Sequence, residues 1–260
     1  MSGPTERTVE VNGQPCRVWE AGAGQPLGYL AGLGGFPLWP PVLDELARHR
    51  RVICPSLPGF PGGRGHDRLD AHLDWLIATR DLLNKAGLTD ADLVGVSVGG
   101  ALAADVAAVW PHKVPRLALL APFGLYDPAA PVADVFALAP GALPALLCAD
   151  PAQFKALTDV PEGADPNEWE IEQIRGLEAA ARILWPLGDT RLERRLGRIL
   201  APTLLLWGEQ DQVIPPAYAA RFAQGMRATT QSRTIPGAGH LADVDQPQAV
   251  AQALLEFFAQ

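Results

Sequence analysis

The sequence predicts an α/β fold with a mostly parallel central sheet, flanking helices and a helical insertion. Short apolar segments, several of them β-branched, alternate with longer segments of helical period. Some of the short segments are apolar at every position, as expected for strands covered by helices on both faces of a parallel sheet. Between residues 122 and 188 the alternation stops, and this stretch is rich in proline turns.

The candidate strands share a short apolar run that ends in a turn. They lie at residues 16–20, 27–31, 51–54, 92–96, 117–121, 203–207 and 232–235. Three helices are predicted between and after them: one that ends at the C-cap Gly87, an Ala-rich one over 101–109 that Pro111 stops, and a closing one over 246–258. On the first helix one apolar stripe is expected, formed by Leu69, Leu73, Leu76, Ile77 and Leu83.

The insertion divides the chain into two predicted units. Residues 1–121 together with 189–260 would form the core, and residues 122–188 a helical cap. The helices expected in the cap lie at 143–147, 151–157 and 167–185, the last capped by Asn167. An insertion of this kind commonly covers the carboxyl ends of the strands, where open parallel sheets bind ligands.

Composition and charge exclude several classes of protein. With 260 residues, 48% hydrophobic and 19% charged, the chain is expected to be globular. A net charge of -8 has the wrong sign for broad contact with nucleic acid. Three cysteines without CxxC spacing argue against a disulfide framework and favour a reducing cytoplasm. No signal-peptide pattern and no apolar run of membrane-spanning length is present, so we expect a cytoplasmic chain with no membrane span.

The segment 95–100, Gly-Val-Ser-Val-Gly-Gly, carries the strongest chemical signal. It follows the predicted strand 92–96 and opens a predicted helix. A nucleophile on such a sharp turn needs small neighbours, which explains glycine two positions before and two after Ser97. The hydroxyl of Ser97 would project above the sheet at a helix N-terminus, which favours developing negative charge. An ordinary turn serine is the alternative, and the position between strand and helix disfavours it.

A serine hydroxyl needs a base to become a nucleophile, and the base needs an acid to hold its tautomer. Asp211 follows the apolar strand 203–207 on a Gly-rich loop, and His240 follows the last predicted strand on a Gly-flanked loop. Glu209 is an alternative acid, and His240 could instead be a surface histidine. No other histidine of the chain follows a late strand in this order.

Together these motifs resemble the α/β-hydrolase fold superfamily, and in particular its capped serine esterases, lactonases and carbon-carbon bond hydrolases. The resemblance covers nearly the whole chain, with the elbow at 95–100 and the order Ser97, Asp211, His240 that this topology requires. It implies that these three residues are nucleophile, acid and base. It further implies that the backbone N–H groups of Leu33 and Val98 form the oxyanion hole, although Ala31 replaces the histidine usual in that loop.

Two other motifs are better explained without a ligand. The residue types of a metal site occur together at His66, Asp67, Asp70 and His72, but their spacing does not repeat on one helix face, which favours a solvated loop. The segment 32–35 could suggest dinucleotide binding, yet Pro37 stands where the third glycine should be and the P-loop lysine is missing. We therefore expect no metal and no organic cofactor.

The main functional hypothesis is a serine hydrolase that cleaves a carboxylic ester, thioester or lactone through an acyl-enzyme. Its partner would be a small-molecule substrate with an apolar part, and the enzyme a monomer or homodimer. Five apolar residues are predicted to line the pocket for that part: Phe36, Trp39, Phe123, Leu125 and Trp185. The alternative is that they pack in the core of the cap.

Two alternatives remain open. The same triad could hydrolyse a carbon-carbon bond in a substrate of meta-cleavage or β-diketone type, with Arg175 or Arg182 binding its carboxylate or ketone. Both arginines could also lie on a solvated helix face. The second alternative is a ligand-binding receptor on a hydrolase scaffold, which the intact set of Ser97, Asp211 and His240 disfavours.

Overall fold

A computed structural model describes residues 3–138, 140–186 and 188–260 of the chain. Within these residues a single sheet contains eight strands. They are β1 (Thr5–Val11), β2 (Gln14–Ala21), β3 (Pro26–Leu30), β4 (Arg51–Pro55), β5 (Asp92–Val96), β6 (Leu117–Leu120), β7 (Thr203–Gly208) and β8 (Thr230–Ile235).

The predicted α/β fold with a mostly parallel sheet is confirmed. The strands lie in the order β1-β2-β4-β3-β5-β6-β7-β8, and every pair from β4 to β8 is parallel. Only β1 and β2 form antiparallel pairs, β1 with β2 and β2 with β4. Because β5 is central and parallel to its neighbours, its carboxyl end meets those of β3 and β6 at one edge of the sheet.

Strand β1 was missing from the sequence-based prediction. Its residues are mostly polar, with Val9 and Val11 as the apolar ones, and most of them are exposed. An edge strand that faces solvent lacks the apolar run by which a buried strand is recognised. Its place in the fold is decided by its antiparallel register with β2, in which Val9 lies opposite Cys16.

The described helices lie around this sheet. They are α1 (Pro41–Ala47), α2 (His72–Ala86), α3 (Ser97–Val109), α4 (Leu143–Leu147), α5 (Pro151–Thr158), α6 (Pro166–Leu184), α7 (Tyr218–Gly225), α8 (Ala242–Asp245) and α9 (Pro247–Phe258). Helix α3 packs on β5 and β6 and contacts α2, while α1 packs against α9. In the described part of the chain, no helix combines the length and the apolar character needed to cross a bilayer.

The apolar stripe expected on α2 is partly wrong. Leu73 and Ile77 are 61% and 50% exposed, whereas Trp75 and Leu82 are buried. The buried face runs through positions 75, 76, 78, 79, 82, 83 and 86. This face, which includes Trp75, packs against the sheet and α3. The helix is therefore rotated about its axis relative to the orientation that the positions of its leucines predict. The predicted end at Gly87 is confirmed, with φ of 88°.

The segment between β6 and β7 carries α4, α5 and α6, close to the predicted positions. Residues 122–188 are called the inserted segment below; Ala139 and Leu187 within it lie outside the described residues. The cap of α6 is Asp165 rather than Asn167, because the Asp165 carboxylate accepts hydrogen bonds from the backbone N–H groups of Asn167 and Glu168. Pro166 then fits the first helical position, where its missing N–H costs nothing.

Candidate active site

Ser97 lies on a sharp turn between β5 and α3. It is the first residue of α3, is fully buried and has a φ of 53°, which is unusual for a residue other than glycine. A Cβ atom at Gly95 would lie within 3 Å of Ala103 and Gly99, and one at Gly99 would lie within 3 Å of the carbonyl groups of Leu30 and Ala31. The turn therefore requires glycine on both sides of Ser97, as the sequence pattern indicates.

The structure brings Ser97, His240 and Asp211 together, although 143 residues separate the first two along the chain. His240 Nε2 lies 2.8 Å from Ser97 Oγ, and His240 Nδ1 lies 3.0 Å from Asp211 Oδ2. A carboxylate only accepts, so Nδ1 carries the proton and Nε2 is left to accept from the serine hydroxyl. The imidazole is completely buried, and the ring of Phe123 packs edge-on against it with a centroid distance of 5.6 Å.

The carboxylate of Asp211 is held on both sides. Its Oδ1 accepts hydrogen bonds from the backbone N–H groups of Val213 and Ile214, at 2.8 and 2.9 Å, while Oδ2 faces the imidazole. Glu209, the alternative acid, accepts instead from the backbone N–H of Gly237 at 3.2 Å. Asp211 is thus the acid that contacts His240.

The loop that follows β3 lies directly beside the serine. A Cβ atom at Gly32 would be 3.4 Å from Ser97 Cβ, and the next residue, Leu33, is buried, as is Val98. The loop closes on itself through a hydrogen bond from Gly35 N to Gly32 O at 3.0 Å. Ala31 cannot brace it as a histidine side chain would.

A different residue, which the sequence pattern does not single out, braces this loop. Arg17 on β2 donates from Nη2 to the carbonyl oxygen of Phe36 at 2.7 Å, and its guanidinium stacks 3.4 Å above the ring of Trp19. Nothing in the local pattern around Arg17 distinguishes it from any charged strand residue. Only the pairing of the strands brings it behind the loop.

A cavity of about 340 Å³ lies beside the loop that contacts Ser97 at Gly32, and neither Ser97 nor His240 is among the residues that line it. One wall is the loop from Gly32 to Phe36, and the other is formed by α4, α5 and α6 of the inserted segment. Leu241, which follows His240, and Val244 complete it. Apart from glycines, its lining is predominantly aliphatic and aromatic, so it suits an apolar ligand.

Only one of the five predicted pocket residues, Phe36, lines this cavity. Phe123 contacts the imidazole instead, and Leu125 is buried away from the cavity. Trp39 packs edge-on against Trp19 and donates to Asp44, because α1 begins just after it. Trp185 is 72% exposed, since α6 ends at Leu184 and the chain turns outward.

The histidines of the predicted metal-type cluster point to different partners. His66 Nε2 lies 3.3 Å from Glu178, whereas His72 Nε2 lies 2.7 Å from Asp105, a buried carboxylate on α3 that also pairs with Arg195. In the described residues, no group of three or more His, Cys, Asp or Glu side chains is arranged to hold a metal ion.

Known proteins share this fold and most of its length. Residues 29–253 match the model of the alpha/beta hydrolase family, and the chain belongs to that family. A 2-hydroxy-6-oxo-2,4-heptadienoate hydrolase of Pseudomonas putida is 27% identical, and the alignment covers 97% of this chain and 96% of the relative.

Two solved structures are also similar. The 2-hydroxy-6-oxo-6-phenylhexa-2,4-dienoate hydrolase of Rhodococcus sp. strain RHA1 superposes with a TM-score of 0.78 over the whole of both chains, at 20% identity. A bacterial membrane phospholipase A superposes with a TM-score of 0.75 at 25% identity, covering 99% of this chain and 86% of that one.

Proposed function

We propose that this chain is a serine hydrolase in which Ser97 is the nucleophile, His240 the general base and acid, and Asp211 the residue that orients the imidazole. The observation that carries the proposal is the continuous contact from Asp211 Oδ2 through His240 to Ser97 Oγ, at 3.0 and 2.8 Å. These distances allow proton transfer without rearrangement.

The chemistry begins with attack of Ser97 Oγ on a carbonyl carbon, while its proton passes to His240 Nε2. The backbone N–H groups of Leu33 and Val98 would stabilise the oxyanion. Collapse breaks the bond to the leaving group, which takes the electron pair and the proton from His240. Water, deprotonated by His240, then attacks the acyl-enzyme and releases a carboxylic acid and free Ser97.

The relatives favour a carbon-carbon bond as the bond that breaks. Two of them are named as hydrolases of 2-hydroxy-6-oxo-2,4-dienoates. When the proton of the 2-hydroxyl group moves to C5, the substrate becomes its 2-oxo tautomer, and the bond between C5 and the C6 carbonyl can then break with the electron pair leaving as a dienolate. From the sequence alone, carbon-carbon bond cleavage is the alternative to ester hydrolysis, and the similar proteins support this alternative better than they support ester hydrolysis. A β-diketone offers the same chemistry, because its leaving group is an enolate.

Hydrolysis of a carboxylic ester, thioester or lactone is the second candidate. The apolar walls of the cavity beside Ser97 favour it, since they suit an alkyl or acyl chain. The leaving group would then be an alcohol or thiol, protonated by His240 in the same way. We further propose that residues 122–188 act as a cap over the nucleophile, because α4, α5 and α6 supply one wall of that cavity.

Labelling and turnover test the proposal. A fluorophosphonate should label the wild-type chain at Ser97 and leave Ser97→Ala unmodified, as read by mass spectrometry. Turnover is then compared between an alkyl β-diketone, a 6-oxo-2,4-dienoate and p-nitrophenyl esters of short and medium acids. Cleavage of the diketone or dienoate supports the first candidate, and faster cleavage of the esters supports the second. Absence of labelling contradicts the proposal.

A further inference from the structure

We propose that the cavity beside Ser97 selects substrates whose non-reacting part is uncharged, and that Glu170 is a specificity residue that disfavours anionic ones. The inference rests on the proposed function and narrows it, since an ester or a β-diketone satisfies it and a dienoate with a free carboxylate does not. Three features of the cavity and its surroundings lead to it.

The first feature is the charge of the lining. Among the cavity-lining residues that the structure describes, Glu170 is the one ionisable side chain. Thr158 and Gln173 are polar and neutral, and the rest are apolar residues or glycine. Glu170 lies on α6 and is exposed, so its negative charge stands on the solvent side of an otherwise apolar wall.

The second feature is the position of the arginines on the same helix. Arg175, a candidate for carboxylate binding, forms a salt bridge with Glu172. Glu172 forms a second salt bridge with Arg64. Burial alone would raise the pKa of Glu172, but the hydrogen bonds from Arg64 and Arg175 hold its pKa below the ordinary value. Glu172 therefore stays ionised and holds both arginines in salt bridges, and its single negative charge offsets one of their two positive charges.

Arg182, the other candidate for carboxylate binding, is also held in a salt bridge. Its Nε donates to Glu178 Oε1 at 3.1 Å, and Glu178 in addition contacts His66. Neither Arg175 nor Arg182 is among the residues that line the cavity. The salt bridges of α6 thus hold both cations on a different side of the helix from Glu170.

The third feature is the cost of an unpaired carboxylate in such a place. An alkyl chain gains free energy for each methylene buried against these walls, whereas a carboxylate loses its hydration and finds no cation. Repulsion from Glu170 adds to this loss, and it falls with ionic strength because Glu170 is exposed. Two effects therefore weaken the binding of an anionic substrate: the loss of hydration without a compensating cation, and repulsion from Glu170.

Matched substrates test the inference. p-Nitrophenyl hexanoate is compared with the mono-p-nitrophenyl ester of adipic acid, which has the same chain length and a terminal carboxylate. An alkyl β-diketone is compared in the same way with its ω-carboxylate. We expect kcat/KM for the neutral member to exceed that for the anionic member by about 100-fold or more, as for an unpaired buried charge.

Two variants locate the cause of this preference. Glu170→Gln should narrow the ratio between neutral and anionic substrate by about 3- to 10-fold at low ionic strength, and Glu170→Arg should narrow it further. Glu168→Gln is the control: Glu168 is also exposed and lies two residues earlier on α6, but it does not line the cavity. Its ratio should match the wild-type one.

The outcomes separate this inference from the proposed function. Labelling of Ser97 together with equal turnover of both members of a pair overturns the inference and leaves the hydrolase intact. Equal effects of Glu168→Gln and Glu170→Gln overturn the role of Glu170. Failure of the fluorophosphonate to label Ser97 overturns the proposed function, and the inference falls with it because no substrate site would remain.

Discussion

Asp245 accepts a hydrogen bond from the backbone N–H of Gly239, the residue immediately before His240, at 2.7 Å. The same carboxylate accepts from the backbone N–H groups of Ala149 and Asp150, at 2.9 and 3.1 Å, between α4 and α5. One buried side chain thus ties the histidine loop to the inserted segment. A Cβ atom at Gly239 would lie 2.9 Å from Ala149 N, so glycine permits this close approach.

Asp245→Asn should lower kcat by about 10-fold or more, because a small displacement of a catalytic group has large effects on rate. Asparagine has one acceptor oxygen, so it cannot satisfy all three N–H groups. The unfolding free energy should fall by about 2 kcal/mol. Steady-state kinetics and urea unfolding measure the two effects.

The control for Asp245 is Asp165→Asn. Asp165 also accepts two backbone N–H groups, but at the start of α6 and far from the histidine loop in sequence. We expect this variant to lose some stability and to keep its kcat. If Asp245→Asn loses stability while its kcat stays at the wild-type value, Asp245 has no positioning role.

Asp211→Asn should reduce turnover by about 10³- to 10⁴-fold. The amide would present a donor to His240 Nδ1 and favour the tautomer in which Nε2 carries the proton and cannot accept from Ser97. Glu209→Gln is the matched comparison, since Glu209 contacts Gly237 rather than the imidazole, and its rate should stay within about 2-fold of wild type. Turnover of the best substrate measures both variants, and the rate of fluorophosphonate labelling reports the reactivity of Ser97 in each. A larger loss in Glu209→Gln would assign the acid to Glu209.

Arg17→Lys should lower kcat by about 10-fold while KM changes little, because the loop beside Ser97 loses a brace next to Leu33, which we propose as an oxyanion donor. Lysine keeps the charge but not the planar group that stacks on Trp19 and reaches Phe36 O. Arg48→Lys, an exposed substitution on the surface after α1, is the control. A rise in KM at constant kcat would instead place Arg17 in substrate binding.

Asp243→Asn should stabilise the fold increasingly as pH rises from about 4 to about 7. Burial raises the pKa of Asp243 from 3.8 to about 6, against a hydrogen bond from Tyr29 that lowers it. The folded chain therefore binds this proton more tightly than the unfolded chain, and the stability that the proton contributes is lost as pH passes 6. Asparagine does not titrate, so the Asp243→Asn variant does not lose this contribution to its unfolding free energy as pH rises.

Urea unfolding at pH 4.5 and 7.5 measures this trend. The difference in unfolding free energy between Asp243→Asn and wild type should grow by about 2 kcal/mol between the two pH values. Tyr29→Phe removes the hydroxyl donor and should move the wild-type trend to higher pH. A difference that is independent of pH would contradict the raised pKa.

Features encoded by neighbouring residues could be predicted from the sequence. The elbow at Ser97 is one, because its strained φ and its close contacts impose glycine at fixed positions before and after it. The buried strands are another, since a strand covered on both faces is apolar throughout. The order of Ser97, Asp211 and His240 along these strands then indicated which distant loops would meet.

Only the tertiary structure shows which other side chains contact the loops that carry Ser97, Asp211 and His240. The brace from Arg17 to Phe36, the tie from Asp245 to Ala149 and the pairing of Arg175 with Glu172 depend on which side chains face one another after folding. Aromatic residues such as Trp39 and Trp185 had suggested a pocket, but their direction is set by where α1 begins and α6 ends. The charge of the cavity is likewise a property of one helix face, and a single sequence does not reveal how that helix is rotated against the loop beside Ser97.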